Sequence, residues 1–149
     1  VDIALEEMKK HGVKPEFECF AMTDLQYVRH LVNKGWRDQT GGPNWIHFVY
    51  TNGSNWNLPE YMSTLKLAVP NNSMLGIIAT GTQQWPVLAM ALVHGFNIRV
   101  GMEDNVMYAK GQLADSNSQF VERAARIIRE FGNEVATPDE AREILGLKK

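Results

Sequence analysis

Four times along the chain a short β-favouring run gives way, after a brief polar connection, to a helix-favouring stretch, and no other feature limits the fold as strongly. The first run is "PEFECFAM", answered by a helix over about Thr23 to Lys34, with Thr23 and Gln26 suited to a capping box and Gly35 to the exit. "WIHFVYT" is the second. After a polar loop, "NLPE" opens its helix, with Asn57 as cap, Pro59 early and Glu60 three residues on. "MLGIIAT" precedes a helix from Gln83 to His94 that Gly95 stops. "NIRVG" is followed by a loop through Lys110 to Asp115 and then by "SNSQFVERAARIIREFG", whose Phe120, Val121, Ala124, Ala125, Ile128 and Phe131 share one helical face. A last short helix is marked by Thr137, Pro138, Glu140 and a terminal Gly146. The opening residues, "VDIALEEMKKHGVKPE", read as the tail of an amphipathic helix carrying Ile3, Leu5 and Met8, so the chain is expected to begin within a domain.

Consecutive βα units with short connections predict an α/β fold, a parallel sheet covered by helices. Two architectures satisfy that, an open doubly wound sheet and part of a (β/α)8 TIM barrel. A complete barrel needs roughly 250 residues, so the 149 present hold about half of one. No G-x-G-x-x-G turn follows the first strand, which weighs against a dinucleotide-binding open sheet. Residues 1–149 are therefore expected to form a single partial domain, and in either architecture chemistry sits at the carboxyl ends of the strands.

Composition removes several function classes. The chain is 44% hydrophobic and 21% charged with a formal net charge of −2, as in an ordinary globular protein. Its basic residues are interspersed with acidic ones, so the stripe a nucleic-acid binder needs is missing. No apolar run approaches the roughly 20 residues that span a bilayer, and no secretory signal opens the chain, so the cytoplasm is the expected compartment. The one cysteine, Cys19, lies in an apolar run and reads as a buried small hydrophobe in a reducing compartment.

Against that background "IRVGMEDN", Ile98 to Asn105, stands out. Strand alternation places Arg99, Gly101 and Glu103 on one side, and an inward guanidinium is costly unless carboxylates accompany it. Glu103 and Asp104 supply them. Two readings stay open: an ion-pair network that staples the strand end, or a site in which Arg99 keeps one carboxylate ionised while the other binds a metal or moves a proton. Glu16 and Glu18, alternating with Phe17 and Cys19, raise the same question. The turn Thr80, Gly81 and Thr82 before a helix offers backbone N–H groups to an anion. His11, His30, His47 and His94 share no short ligand spacing and read as surface or helix-end residues. Trp56 is placed at a pocket mouth or in packing.

Several of these segments together resemble one family. "RVGMEDN", "KGQLADSN", "FVERAARII" and "EVATPDEAREILGL" are similar to the C-terminal signature of the β-keto acid cleavage enzymes. "GVKPEFECF" and "GIIATGTQQWPVLAMALVHGFNIRVG" resemble the family's mid-chain strand and its seventh and eighth strand region. The resemblance implies strands 5 to 8 of a TIM barrel and an enzyme that reacts a β-keto acid with acetyl-CoA, its co-substrate, to give acetoacetate and a new acyl-CoA, with a divalent metal, usually zinc. It implies Glu103 as metal ligand, Arg99 and Asp104 as the pair that deprotonates substrate, and Glu16 as the contact to the substrate's distal group; Thr80 and Gly81 are expected to bind substrate through the turn's own N–H groups. The two further metal ligands it implies, a His-x-His on an early strand, have no counterpart in this chain, and Thr82 stands where the family usually carries an arginine. An open half-barrel exposes strand edges, so either homo-oligomerisation or pairing with a second half-barrel is expected. Two alternatives remain beside this one: a non-catalytic half-barrel that serves binding or assembly, and a different metal-dependent C–C lyase.

Overall fold

The computed structural model describes residues 2–36, 40–51 and 60–147, with the backbone alone at Glu60. Helix α1 (Asp2–Lys10) precedes strand β1 (Glu16–Cys19), helix α2 (Met22–Asn33), strand β2 (Asn44–Tyr50) and helix α3 (Glu60–Ala68). Strand β3 (Ser73–Ala79), helix α4 (Gln84–Val93) and the short strand β4 (Asn97–Ile98) complete the repeating part. A small antiparallel hairpin, β5 (Met107–Ala109) with β6 (Gln112–Leu113), leads into α5 (Asn117–Glu130) and α6 (Pro138–Leu145).

Strands β1 to β4 lie side by side in chain order, every pair parallel. That order is what successive right-handed βα crossovers produce. The protein is an α/β half-barrel, strands 5 to 8 of the (β/α)8 plan.

Period-two alternation assigns each strand residue to one of two faces. Ile46, Phe48, Tyr50, Leu75, Ile77 and Ala79 point under the helices, where Leu25 and Val28 of α2, Met62 and Leu65 of α3, and Val87, Leu88 and Ala91 of α4 meet them in one core. Cys19 joins that core at 1% exposure, and Phe17 packs against it. The residues between them, Glu16, Glu18, Trp45, His47, Met74 and Gly76, point to the opposite face, the barrel interior.

Local chemistry departs from expectation in a few places. Helix α2 starts at Met22, with Ala21 at the N-cap two residues before Thr23, because the Asp24 carboxylate accepts hydrogen bonds from the Phe20 and Ala21 N–H groups, each at 2.9 Å. Thr23 therefore caps nothing. The stretch expected as a loop through Lys110 contains the β5–β6 hairpin. Helix α5 buries Phe120 and Ala124 but leaves Val121 and Phe131 exposed, and α1 buries Leu5 but not Ile3. Thr137 and Glu140 form the cap of α6, and Gly146 ends it in a left-handed conformation, both as expected. Trp56, Asn57 and Pro59 lie outside the described residues.

Candidate active site

At the carboxyl ends of β1 and β4 one guanidinium is ringed by carboxylates. Arg99 follows β4 directly, and its N–H donates to the Ile77 carbonyl at 3.0 Å, which carries the strand ladder one residue further. Its side chain reaches across the interior face. Nη1 donates to Glu18 Oε1 at 2.7 Å and lies 4.0 Å from Glu16 Oε1. Nη2 donates to Glu103 and lies 3.9 Å from Asp104 Oδ2. Arg99 and Glu103 do meet, but through the turn at 102–104 and not through strand alternation, since β4 ends at Ile98, and the fold adds Glu18 from 81 residues away.

These carboxylates differ in their surroundings. The Glu103 side chain is 72% exposed, Glu16 and Glu18 are exposed to a lesser degree, and that of Asp104 is only 11% exposed. Burial pushes the Asp104 carboxyl above its ordinary pKa; Arg99 opposes that push, while Glu103 and Glu18 reinforce it. Asp104 Oδ2 accepts no hydrogen bond among the described residues. Partial burial disfavours the Arg99 charge, but Asp104, Glu18 and Glu103 outweigh it and raise its pKa above the usual value. Arg99 is therefore fixed as a cation, and Asp104 carries an unused acceptor atom.

The turn bearing Asp104 is held from several sides. Its own N–H and that of Asn105 donate to the Gly101 carbonyl at 3.2 and 3.3 Å. Met102 N–H donates to Asn117 Oδ1 at 2.7 Å, anchoring the turn to the start of α5. Asn105, 7% exposed, donates to Gln84 Oε1 at 3.3 Å and exchanges hydrogen bonds with the Met107 backbone. Gly81 N–H donates to the Asp104 carbonyl at 2.7 Å, from a backbone with φ of +61° that suits glycine. Thr80 N–H donates to the Tyr50 carbonyl at 3.0 Å. The expected anion cradle at Thr80 and Gly81 is thus corrected: both N–H groups are already engaged, and they brace the site from beneath.

His47 is the residue that sequence reading missed. It is neither at the surface nor at a helix end: it lies at the middle of β2, 4% exposed, with Nδ1 hydrogen-bonded to Glu16. Trp45 meets its ring edge-on at 4.5 Å between centroids. On the other side β3 presents Gly76, where an added Cβ would fall 1.9 Å from the His47 ring. The signal was present in "WIHFVY", where alternation puts His47 opposite the core residues Ile46 and Phe48 and in register with Glu18. It was passed over because no second histidine stands at ligand spacing.

The donor set can be tested against a metal. Among the described residues no three His, Cys, Asp or Glu side chains converge on one point. The Arg99 guanidinium occupies the middle of the carboxylate ring, where a cation would sit. These residues do not by themselves fit a metal ion; Glu103 is the most exposed of the carboxylates. Cys19, buried under α2, offers no alternative nucleophile, since burial and the nearby Asp24 push its thiol up to about 12.

Comparison with known proteins fits this arrangement. The family model described as beta-keto acid cleavage enzyme matches residues 1–147. The chain belongs to that family. A relative from Acetoanaerobium sticklandii, a 3-keto-5-aminohexanoate cleavage enzyme, is 41% identical over 145 residues, covering 95% of this chain and 51% of the relative. A 3-dehydrocarnitine:acetyl-CoA trimethylamine transferase from Rhizobium meliloti is 32% identical, covering 96% of this chain and 47% of the relative. The chain spans about half the length of the curated relatives it matches. The apo structure of ObcA superposes with a TM-score of 0.80 at 18% identity, covering 98% of this chain and 39% of that one, which supports the half-barrel as a fold. Among the described residues no helix is long and apolar enough to cross a membrane.

Proposed function

We propose that the chain is the C-terminal part of a β-keto acid cleavage enzyme that reacts a β-keto acid with acetyl-CoA to give acetoacetate and a new acyl-CoA. The observation that carries this reading is Asp104, a carboxylate mostly shielded from water, oriented by Arg99 and left with a free acceptor atom in the turn that follows β4. A base of that kind removes a proton from carbon more readily than a fully hydrated carboxylate does. In the proposed reaction the C2–H bond of the keto acid breaks, its proton moves to Asp104, and the electron pair forms an enolate. The enolate carbon attacks the acetyl thioester and expels the CoA thiolate. The thiolate then attacks the original keto carbonyl, the old C–C bond breaks, and acetoacetate leaves after taking the proton back from Asp104.

Glu16, held by His47, is proposed to meet the distal group of the keto acid. The excess of carboxylates over the single Arg99 cation favours a polar or cationic group there. The names of the two relatives, an amino acid derivative in one and a trimethylamine compound in the other, fit that charge. Glu103 is proposed as one donor to a zinc ion whose other ligands lie outside the described residues. The open outer edges of β1 and β4 support pairing with a second half-barrel or with another copy of this chain, and a size measurement distinguishes either from a monomer. We place the reaction in the cytoplasm, where the thiol of Cys19 stays reduced.

Deuterium exchange at C2 of acetoacetate, followed by NMR, tests the central step without requiring a thioester. Asp104→Asn is expected to slow exchange by about 10²–10⁴-fold with no loss of thermal stability. Equal exchange by the variant and the parent protein would reduce the cluster to an ion-pair staple.

A further inference from the structure

Immediately beside the carboxylate ring lies a pocket of opposite character. It has a volume of about 470 Å³ and is lined by Thr82, Trp85, Asn105, Tyr108, Lys110 and Arg123, among others. Two of these adjoin the site: Thr82 follows Gly81, and Asn105 follows Asp104. In barrel terms the pocket sits among the loops after strands seven and eight, at the carboxyl-end face, where such folds often seat phosphate groups.

Its side chains form a rigid cationic wall. Trp85 stacks on Phe120 with centroids 5.8 Å apart, and the Arg123 guanidinium lies over the Trp85 ring at 4.2 Å. Arg123 also lies 5.1 Å from the Tyr108 ring and donates to the Tyr108 carbonyl. Arg126 donates to the Tyr108 hydroxyl at 3.2 Å. Among the described residues no carboxylate lies within ion-pair distance of Lys110, Arg123 or Arg126. The indole N–H of Trp85 is buried without an acceptor. Donors and positive charge are in surplus here, and acceptors are short.

We propose that this pocket seats the phosphate-bearing nucleotide end of the CoA thioester, an inference that rests on the reading of the chain as part of an acetyl-CoA-using enzyme. The planar guanidinium of Arg123, held flat by the two rings, has edge N–H groups suited to phosphate oxygens, and Lys110 adds a mobile second charge. Thr82 and Asn105 on the pocket lining are the chain neighbours of Gly81 and Asp104, whose backbones are hydrogen-bonded to each other, so the thioester arm has a short distance to cover. The negative ring would repel the phosphates and the positive pocket would hold them, so charge alone sets the direction in which the co-substrate lies.

Isothermal titration of the 149-residue chain with CoA, and with pantetheine as the arm lacking the nucleotide, tests the assignment. CoA is expected to bind more tightly than pantetheine, with Arg123→Gln and Lys110→Gln each weakening CoA by about tenfold and leaving pantetheine unchanged. Lys110 is exposed, so its substitution keeps the assay meaningful if loss of Arg123 disturbs the hairpin. CoA affinity unaffected by both substitutions, or pantetheine binding as tightly as CoA, overturns the proposal. Asp104-dependent proton exchange in a protein that binds no CoA overturns the pocket alone. CoA binding that depends on Arg123 and Lys110 in a protein without exchange supports the pocket and removes the deprotonation reading.

Discussion

The two faces of the sheet are built from the same four strands and share almost no chemistry. On β2, Ile46, Phe48 and Tyr50 face the helices, while Trp45 and His47 face the interior. On β1, Phe17 and Cys19 meet the core, while Glu16 and Glu18 reach toward Arg99. The helix-facing side owes its stability to apolar burial, which is additive and indifferent to direction. The interior side keeps charges together through specific donor and acceptor pairs, which contribute little net stability and constrain geometry closely. The contrast teaches where substitution should cost folding and where it should cost reaction.

Phe48→Ala should break the apolar side most severely. The ring is 0% exposed, and its loss leaves a cavity between β2 and the helices. The expected destabilisation is about 3–5 kcal/mol, read from a denaturant midpoint. The same face governs Cys19. With its thiol pushed up to about 12 from an ordinary 9.0, the thiolate at pH 8 is scarcer by roughly a thousandfold. Alkylation of the native protein should therefore be slower than that of the urea-unfolded chain by at least that factor. Rapid native labelling would show that β1 and α2 open readily.

Gly76→Ala probes the interior face at its tightest point. The added Cβ would fall 1.9 Å from the ring of His47, which is buried and hydrogen-bonded to Glu16 and cannot yield without releasing that bond. About 1–3 kcal/mol of stability should be lost, and the KM for a keto acid with a cationic distal group should rise as Glu16 loses its support. A variant with parental stability and KM would mean that the His47 ring moves freely.

Much of this was legible in the sequence because each signal was local. The βα alternation, the cap of α6 at Thr137 and Glu140, and the charged run from Arg99 to Asp104 each depend on residues within a few positions of one another. What stayed hidden depends on register between strands. Nothing near Arg99 in the chain announces Glu18, which arrives only when β1 and β4 take opposite ends of the same sheet. The role of His47 needs both Glu16 on one neighbouring strand and Gly76 on the other. The Thr80–Gly81 turn was misread for a related reason: a free N–H in sequence looks the same as one that a distant carbonyl has already claimed.

The smallest expected effect separates the two readings that the sequence left open. Glu18→Gln removes the carboxylate that Arg99 meets at 2.7 Å, but Arg99 keeps Glu103, and Asp104 remains at 3.9 Å. Both partners are substantially solvated, so the stability lost should stay within about 1 kcal/mol and shrink further in high salt. If the ring were a staple for the end of β4, that loss would instead approach the cost of a buried-pair rupture and persist in salt. If it is a site, the folded protein hardly notices Glu18, while C2 exchange falls because Asp104 loses a nearby negative charge that raises its pKa and becomes a weaker base. A small change in the denaturant midpoint together with a measurable change in exchange therefore identifies the interior face as one whose charges are arranged for reaction at Asp104.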